Sequence, residues 1–230
     1  AARVLPNYKA KEKIAIIYAN GSIVDGRDIN NISGDRFASI IDKVRADSTV
    51  KAVVLRVNSP GGSALASEKI KHELDLLGAE KPLVASYGDY AASGGYWISN
   101  NCSKIYTDAV CLTGSIGVFG MVPDFSKTTK KVLGINVSSV SSNKHGDMFS
   151  LMRPFDSDEY NYMLRSIEGA YERFLDVVSD GRGMSKERVD EIGQGRVWTG
   201  ADALKINLTD EIGGLTDALN YAALAAGSSL

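Results

Sequence analysis

The stretch that decides the fold is KAVVLRVNSPGGSALASEKIKHELDLLG, residues 51–78. Residues 51–59 form an apolar run that predicts a buried β-strand, and the Pro-Gly-Gly sequence after it predicts a turn. Beyond the turn, residues 64–77 are predicted to form an amphipathic helix, and Gly78 suits the position just after its end. The apolar side chains of this helix share one face at helical spacing: Ala66, Ile70, Leu74 and Leu77.

The same alternation of strand and helix extends along the rest of the chain. Short apolar runs predict four further strands, at residues 13–19, 82–87, 104–108 and 135–140. A longer helix is predicted after Pro154, with Asp156 and Glu159 as a capping pair at its start. Its apolar stripe consists of Met163, Ile167, Ala170, Phe174 and Val178. Such alternation predicts an α/β fold with a mostly parallel sheet, in which the loops at the carboxyl ends of the strands carry the chemistry.

The composition is that of an ordinary globular protein. The 230 residues are 44% hydrophobic, and 26 basic against 28 acidic residues give a net charge of -2. The sequence has no Lys/Arg-rich run, so nucleic acid is not a predicted partner. No stretch approaches the roughly 20 apolar residues that span a bilayer. Residues 1–12 are aperiodic and are interpreted as a tail or linker remnant, and residues 13–230 as a single domain.

Cysteine and histidine are scarce. Cys102 and Cys111 match no zinc pattern that needs four ligands, and they are interpreted as two small buried residues. A disulfide between them is the alternative in an oxidising compartment. His72 and His145 have no evident carboxylate companion and are interpreted as solvent-exposed. No metal site and no organic cofactor is predicted.

Three strand ends lead into glycine-bearing loops, at residues 58–64, 88–97 and 112–120. In the first loop, Gly61 and Gly62 free the backbone, so that its amides can point outward as an anion or oxyanion cradle. The alternative for this loop is a plain strand-to-helix turn. A Walker A phosphate loop is excluded because no GK[ST] follows the glycines.

In the second loop, Ser93 precedes Gly94 and Gly95, so a reactant can approach both the Ser93 Oγ and the next amide. This arrangement resembles a nucleophile elbow, but Ala91 stands where GxSxG has its first glycine, which argues against an α/β-hydrolase. A packing role for Ser93 is the equal alternative on this evidence. A serine nucleophile also needs a base. A lysine of lowered pKa can serve, and Lys144 is a candidate by location.

With these loops in place, the chain resembles the signal peptide peptidase A family, serine/lysine proteases of the bacterial envelope that share the Clp protease/crotonase fold. Five segments resemble family segments in the same order: YANGSIVDG, VVLRVNSPGGS, AASGGYWIS, LTGSIGVFG and GRVWTGADALKINLTDEIGG. The resemblance implies a repeated β-β-α superhelix and peptide hydrolysis through an acyl-enzyme, with Ser93 as the nucleophile. It further implies an oxyanion hole formed by amides of Gly61, Gly62 and Gly94, and a role for Ser115 in orienting the lysine.

The lysine itself departs from the family pattern. Registering the chain on residues 133–135 and Arg153 brings Gly146 to the position of the lysine in the short members, and Lys144 lies two residues away. The long form of the family has two homologous halves, of which the N-terminal half supplies the lysine. Since IIYANGSIVDG and GGYWIS resemble the C-terminal half, the resemblance implies a base from a missing N-terminal half. The alternative is a complete enzyme that uses Lys144 as a displaced base.

The resemblance also implies substrates, partners and a location. The implied substrates are residual signal peptides. The implied assembly is a homo-oligomer, a tetramer of two-half chains. The implied location is the bacterial inner membrane, with the catalytic domain on the periplasmic side. Two other functions are alternatives: a crotonase-like acyl-CoA enzyme, which uses two backbone amides as an oxyanion hole, and an inactive peptide-binding subunit. A Clp-type Ser/His/Asp peptidase is disfavoured because no histidine lies between Ser93 and His145.

Overall fold

The structure is a computed structural model, and it describes residues 11–227, which form nine strands and eight helices. The strands are β1 (Lys13–Asn20), β2 (Ile23–Val24), β3 (Ile32–Ser33), β4 (Val50–Ser59), β5 (Leu83–Ala92), β6 (Lys104–Thr107), β7 (Leu112–Gly114), β8 (Val197–Thr199) and β9 (Glu211–Ile212). The helices are α1 (Gly34–Ala46), α2 (Ala64–Glu80), α3 (Gly94–Trp97), α4 (Ser126–Lys131), α5 (Ser157–Arg182), α6 (Lys186–Ile192), α7 (Gly200–Lys205) and α8 (Leu215–Ala225). Within this range, none of the helices combines the length and apolarity needed to cross a bilayer.

Seven of the strands form one sheet in the order β1-β4-β5-β6-β9, with β7 also paired to β5 and β8 paired to β7. All these pairs are parallel except β7–β8, which is antiparallel. The remaining strands, β2 and β3, form a small parallel sheet of their own. The predicted α/β fold with a mostly parallel sheet is therefore confirmed.

The central strand β4 is buried on both faces. One face packs against α8 in a cluster formed by Ala52, Val54, Val84, Tyr106, Ala218 and Ala222. The alternate residues Val53, Leu55 and Val57 point to the opposite face and are also fully buried. Because a strand covered on both sides needs no polar face, β4 appears in the sequence as a nearly continuous apolar run.

Helix α2 extends further than the sequence predicts. Gly78 lies inside this helix, which ends at Glu80, so the prediction that Gly78 follows the helix end is wrong. The last turn is instead closed at Lys81, whose N–H donates to Leu77 O at 2.9 Å. The side chain of Leu77 is fully buried, and this packing outweighs the low helix propensity of a single interior glycine.

The predicted strand at residues 135–140 is also wrong, because this segment has no regular secondary structure. Its apolar side chains are exposed, Val140 completely so. A strand needs a neighbour to pair its backbone groups, and the described part of the chain provides none here. By contrast, β5 continues to Ala92, through residues that the sequence assigned to a loop.

The chain divides into two compact units. Unit 1 consists of residues 1–117 and 174–230, and unit 2 of residues 118–173. Unit 1 contains all the strands, and unit 2 contains α4 and the first part of α5. The assignment of residues 13–230 to a single domain stays a prediction. The predicted tail falls mostly on residues 1–10, which lie outside the described residues.

The predicted capping pair at the start of α5 is confirmed. The Asp156 N–H donates to Glu159 Oε2, and the Glu159 N–H donates to Asp156 Oδ1, both at 2.9 Å. This reciprocal pair satisfies two amides that would otherwise lack partners at the helix start.

Candidate active site

Ser93 lies at the carboxyl end of β5, between the last strand residue, Ala92, and the first residue of α3, Gly94. Its backbone has φ 52° and ψ -121°. Such a conformation costs a non-glycine residue on the order of 1–3 kcal/mol and persists only where the surrounding structure holds it. A strand, a strained serine and a helix in succession resemble the arrangement of a nucleophile elbow.

Two backbone hydrogen bonds hold Ser93 in this conformation. The Ser93 N–H donates to Gly114 O, and Ser93 O accepts from the Trp97 N–H, both at 2.9 Å. The Trp97 ring packs against Phe174, with ring centroids 4.5 Å apart, and its Nε1–H donates to Glu68 at 2.9 Å. The short helix after Ser93 is thus anchored by packing and by hydrogen bonds, which offsets the backbone strain.

The first glycine loop packs directly against Ser93. Gly61 has φ 97° and Gly62 has φ 153°, and both conformations favour glycine. A Cβ on Gly61 would lie 2.6 Å from Gly94 N and 2.7 Å from Ser93 Cβ. The structure therefore brings three predicted site residues, Gly61, Ser93 and Gly94, into contact, and Gly62 follows directly in the chain.

The backbone amides of this loop point in different directions. The Gly61 N–H donates to the buried Ser59 Oγ at 3.1 Å. Gly62 is the bridge partner of Ile23 in a parallel pair, a geometry in which Gly62 turns its own N–H to the side away from Ile23. Gly62 is exposed, and Gly94 carries the first amide of α3, which has no partner within the helix. The amides of Gly62 and Gly94 are therefore the ones that neither the strand bridge to Ile23 nor the helix α3 uses.

Ser115 follows β7 in the same way that Ser93 follows β5. Ala92 and Gly114 are register partners in these two parallel strands, so the two serines are neighbours at the strand ends. The Ser115 N–H donates to Arg196 O at 2.8 Å. Among the described residues, the non-glycine positions with positive φ are Ser93, Ser115, Gln194 and Asn207. Backbone strain collects at functional sites, and two of these four positions are the serines predicted from sequence.

Lys144, the candidate base by location, lies in unit 2 and is bound by an acidic side chain. Its Nζ donates to Asp158 Oδ2 at 2.5 Å, and both side chains are about two-thirds exposed, at 67% and 66%. The hydrogen bond to Asp158, together with the negative charge of that carboxylate, raises the pKa of Lys144. A general base must be a neutral amine near neutral pH, so this environment acts against such a role.

The two histidines differ from each other. His72 is exposed on α2, as predicted. The expectation of an exposed His145 without a carboxylate partner is wrong, because His145 is half-buried and its Nδ1 lies 3.2 Å from Glu159 Oε1. The two residues are 14 positions apart, so the sequence did not reveal that they are paired. The sequence had identified Glu159 only as part of the capping pair.

Glu159 is at the centre of an ion network in unit 2. Its carboxylate is almost fully buried and accepts from Arg153 at 2.6 and 2.7 Å, and Arg153 also binds Asp147 at 2.7 Å. His145, Asp156 and Glu159 place possible metal ligands within 4.8 Å of one another. However, the Arg153 guanidinium already supplies the positive charge that the Glu159 carboxylate needs, so the donor set is better suited to an ion pair than to a metal.

Cys102 and Cys111 are both buried free thiols, as interpreted from the sequence. Burial raises the pKa of the Cys102 thiol to about 12, and burial also raises the pKa of Cys111. Because the thiolate is the reactive form, neither residue is a candidate nucleophile.

Comparison with known protein families decides the classification. The model of peptidase family S49 matches residues 75–229, a range that includes Ser93 and Ser115. The chain belongs to this family. Membership of a peptidase family gives no support to the alternative function, a crotonase-like acyl-CoA enzyme.

Curated relatives of this S49 family member are named as proteases. The chain is 44% identical over 220 residues to Protease 4 of Haemophilus influenzae, covering 95% of the chain and 35% of that protein. It is 36% identical over 218 residues to the chloroplastic serine protease SPPA of Arabidopsis thaliana, covering 92% and 32%. It is 33% identical over 217 residues to a putative signal peptide peptidase SppA of Enterococcus faecium, covering 92% and 63%.

The S49 chain spans about a third of the length of the first two of these relatives. Together, the family and the relatives' names confirm the predicted membership of the signal peptide peptidase A family.

The ion network around Glu159 predicts that unit 2 of this S49 chain loses stability at acid pH. The hydrogen bond from Arg153 lowers the pKa of Glu159 from 4.5 to about 2, and Arg153 lowers the pKa of Asp147 as well. A carboxyl with a depressed folded-state pKa stabilises fully above its unfolded pKa, and this stabilisation is lost as the pH falls through the folded value. We expect the melting temperature to fall between about pH 4.5 and pH 2, and the Glu159→Gln variant to show less of this fall, as measured by circular dichroism.

The matched control is Asp158→Asn, which removes an exposed carboxylate that is paired with Lys144. Since exposed ion pairs contribute little, this variant should follow the wild-type acid profile closely. An identical acid-induced fall in Glu159→Gln and in wild type would contradict the assignment.

Proposed function

We propose that this chain is the nucleophile-bearing domain of a serine peptidase that cleaves peptides through an acyl-enzyme. In the first step, Ser93 Oγ attacks the scissile carbonyl carbon, the C–N bond breaks, and the serine proton passes through the base to the leaving amine. Water then hydrolyses the ester and regenerates Ser93. The observation that carries this proposal is the strained Ser93 at the end of β5, packed against Gly61 and followed by the free first amide of α3.

The oxyanion that forms on the carbonyl oxygen is stabilised by the amides of Gly62 and Gly94. Gly94 follows Ser93 directly, and Gly62 follows Gly61, which packs against Ser93. Donors preorganised in this way contribute about 2.7–4 kcal/mol each to transition-state stabilisation in serine proteases. Of the three glycines predicted for this role, Gly61 serves as the close-packed spacer because its N–H is bonded to Ser59.

The general base is a lysine from a homologous half, and Ser115 orients it beside Ser93. Three observations support this proposal. Lys144 is held as a cation by Asp158, and the position registered with the family lysine is Gly146, which carries no side chain. The relative named Protease 4 is also long enough to contain a second half, since the chain covers 35% of it.

The substrates are residual signal peptides, and the protein acts as a homo-oligomer, a tetramer of two-half chains, at the periplasmic face of the bacterial inner membrane. The name of the Enterococcus faecium relative supports the substrate class. Self-association is supported by large exposed apolar side chains in unit 2: Phe119, Met121, Val132, Leu133, Val140 and Phe149. Exposed apolar surface of this extent favours protein–protein contact.

The test is peptide hydrolysis by the protein expressed from its complete coding sequence. We expect cleavage of a peptide with a central apolar stretch to exceed cleavage of a polar peptide of the same length. We also expect Lys144→Ala to retain kcat/KM within about twofold, because an exposed ion pair contributes little to structure. Cleavage products are identified by mass spectrometry.

Lys205→Ala is the matched control, since Lys205 forms an exposed ion pair with Asp202 elsewhere on the surface. A loss of about a hundredfold or more in Lys144→Ala alone would identify Lys144 as the base and contradict a base from another half. Equal cleavage of the apolar and polar peptides would contradict the substrate class.

A further inference from the structure

Ser59 is a fully buried polar residue at the end of β4, and it contacts Gly61 and Gly95, the chain neighbours of the two proposed oxyanion donors. Its Oγ accepts the Gly61 N–H at 3.1 Å. On the other side, a Cβ on Gly95 would lie 2.8 Å from Ser59 O and 3.3 Å from Ser59 Cβ. Ser59 therefore lies between the Gly61–Gly62 turn and the helix that begins after Ser93.

The pairing of the strands explains why Ser59 occupies this place. Ser59 is the register partner of Ala91, two residues before Ser93, and the pairing of β4 with β5 is irregular just before this point. The last residue of β4 is thereby brought alongside the strand end that carries Ser93. A hydroxyl at this position reaches the turn that follows β4 without leaving the core.

Two hydrogen bonds hold the Gly61–Gly62 turn: the Gly61 N–H donates to Ser59 Oγ at 3.1 Å, and Gly61 O accepts from the Ile23 N–H at 2.9 Å. Two successive glycines have wide backbone freedom, and the bond to Ser59 directs the first N–H into the protein. The bond from Ile23 fixes the next, planar peptide, so that the Gly62 N–H points away from Ile23. Ser59 is the buried side chain that holds the Gly61 amide in this orientation.

We propose that Ser59 is a positioning residue for acylation, whose hydroxyl holds the Gly61–Gly62 turn so that the Gly62 N–H faces the carbonyl oxygen of the bound peptide. This inference rests on the proposed function, because it presupposes that Ser93 is acylated. Ser59 itself does not touch the substrate. It affects the rate indirectly, by holding the direction of the Gly62 N–H. This direction matters most in the transition state, where an oxyanion has formed.

The experiment compares Ser59→Ala with wild type in the protein expressed from its complete coding sequence. We expect kcat to fall about tenfold or more, because a donor that is no longer held in place stabilises the transition state less. KM should stay within about twofold, since the ground-state carbonyl needs this donor less. Inactivation of Ser93 by a fluorophosphonate, in which an Oγ–P bond forms and fluoride leaves, should slow in parallel.

Ser86→Ala is the matched control. Ser86 is another fully buried serine, inside β5, whose Oγ accepts from Arg56 at 2.8 Å. We expect Ser86→Ala to lower the melting temperature about as much as Ser59→Ala does, but to keep the wild-type kcat. Ser59→Thr, which keeps the hydroxyl, should retain more activity than Ser59→Ala. If Ser59→Ala does not fold, Ser59→Cys provides the same comparison, because sulfur is a weak acceptor.

The outcomes separate this inference from the proposed function. If Ser93→Ala keeps wild-type turnover, the proposed function fails, and the role of Ser59 fails with it. If Ser93→Ala is inactive while Ser59→Ala keeps wild-type kcat, only the positioning role is overturned. A rise in KM with unchanged kcat, or a higher kcat in Ser59→Ala than in Ser59→Thr, would overturn it as well.

Discussion

Replacing Ser93 by alanine is expected to lower kcat/KM for peptide hydrolysis by about 10⁴-fold or more, because the acyl-enzyme cannot form without the hydroxyl. The residual rate reflects substrate binding and the oxyanion donors alone. The same variant should also lose covalent labelling by a fluorophosphonate, which peptide mapping locates on Ser93 in the wild-type protein. Steady-state kinetics and mass spectrometry measure the two effects.

Ser93→Gly separates the chemistry from the backbone strain. Ser93 has φ 52°, a conformation that glycine adopts without penalty, so this variant should fold at least as well as wild type. We expect it to be as inactive as Ser93→Ala. Substantial turnover or labelling in the folded Ser93→Gly variant would mean that another residue is the nucleophile.

Replacing Gly61 by alanine is expected to damage stability and activity together. The added methyl group would lie 2.6 Å from Gly94 N and 2.7 Å from Ser93 Cβ, so the turn, the serine or the start of α3 must move. Overpacking and the left-handed backbone together should cost about 2–5 kcal/mol of unfolding free energy. A displacement of about 1 Å at the reacting groups lowers the rate about a hundredfold. Thermal melting and steady-state kinetics measure the two losses.

Gly26→Ala is the matched control for the backbone contribution. Gly26 has φ 78°, and no atom lies within 4 Å of the position that its Cβ would take. This variant should lose about 1–2 kcal/mol from the left-handed conformation and keep wild-type kcat. Equal losses of activity in the two variants would refute the argument that contact with Ser93 and Gly94 makes Gly61 necessary.

The sequence predicts the elements that depend on local pattern. The strand at residues 51–59 and the turn and helix that follow are recognisable because burial on both faces, glycine punctuation and helical periodicity all act over a few residues. The capping pair of Asp156 and Glu159 is equally local, and it is present in the structure. The predictions at Gly78 and at residues 135–140 are wrong. In the first case the packing of the helix decides the structure, and in the second the lack of a strand to pair with. Sequence periodicity carries no information about either.

The features of the candidate active site can also be separated into local ones and ones that depend on tertiary contacts. By itself, the sequence determined that Ser93 is followed by two glycines, that a Gly-Gly turn ends β4, and that no lysine stands at position 146. Only the tertiary structure decided that Gly61 touches Ser93, that the Gly61 N–H is bonded to Ser59, and that Lys144 is held by Asp158. The physical reason is that these contacts join residues distant in the chain, and the register of the parallel strands and the packing of side chains set them.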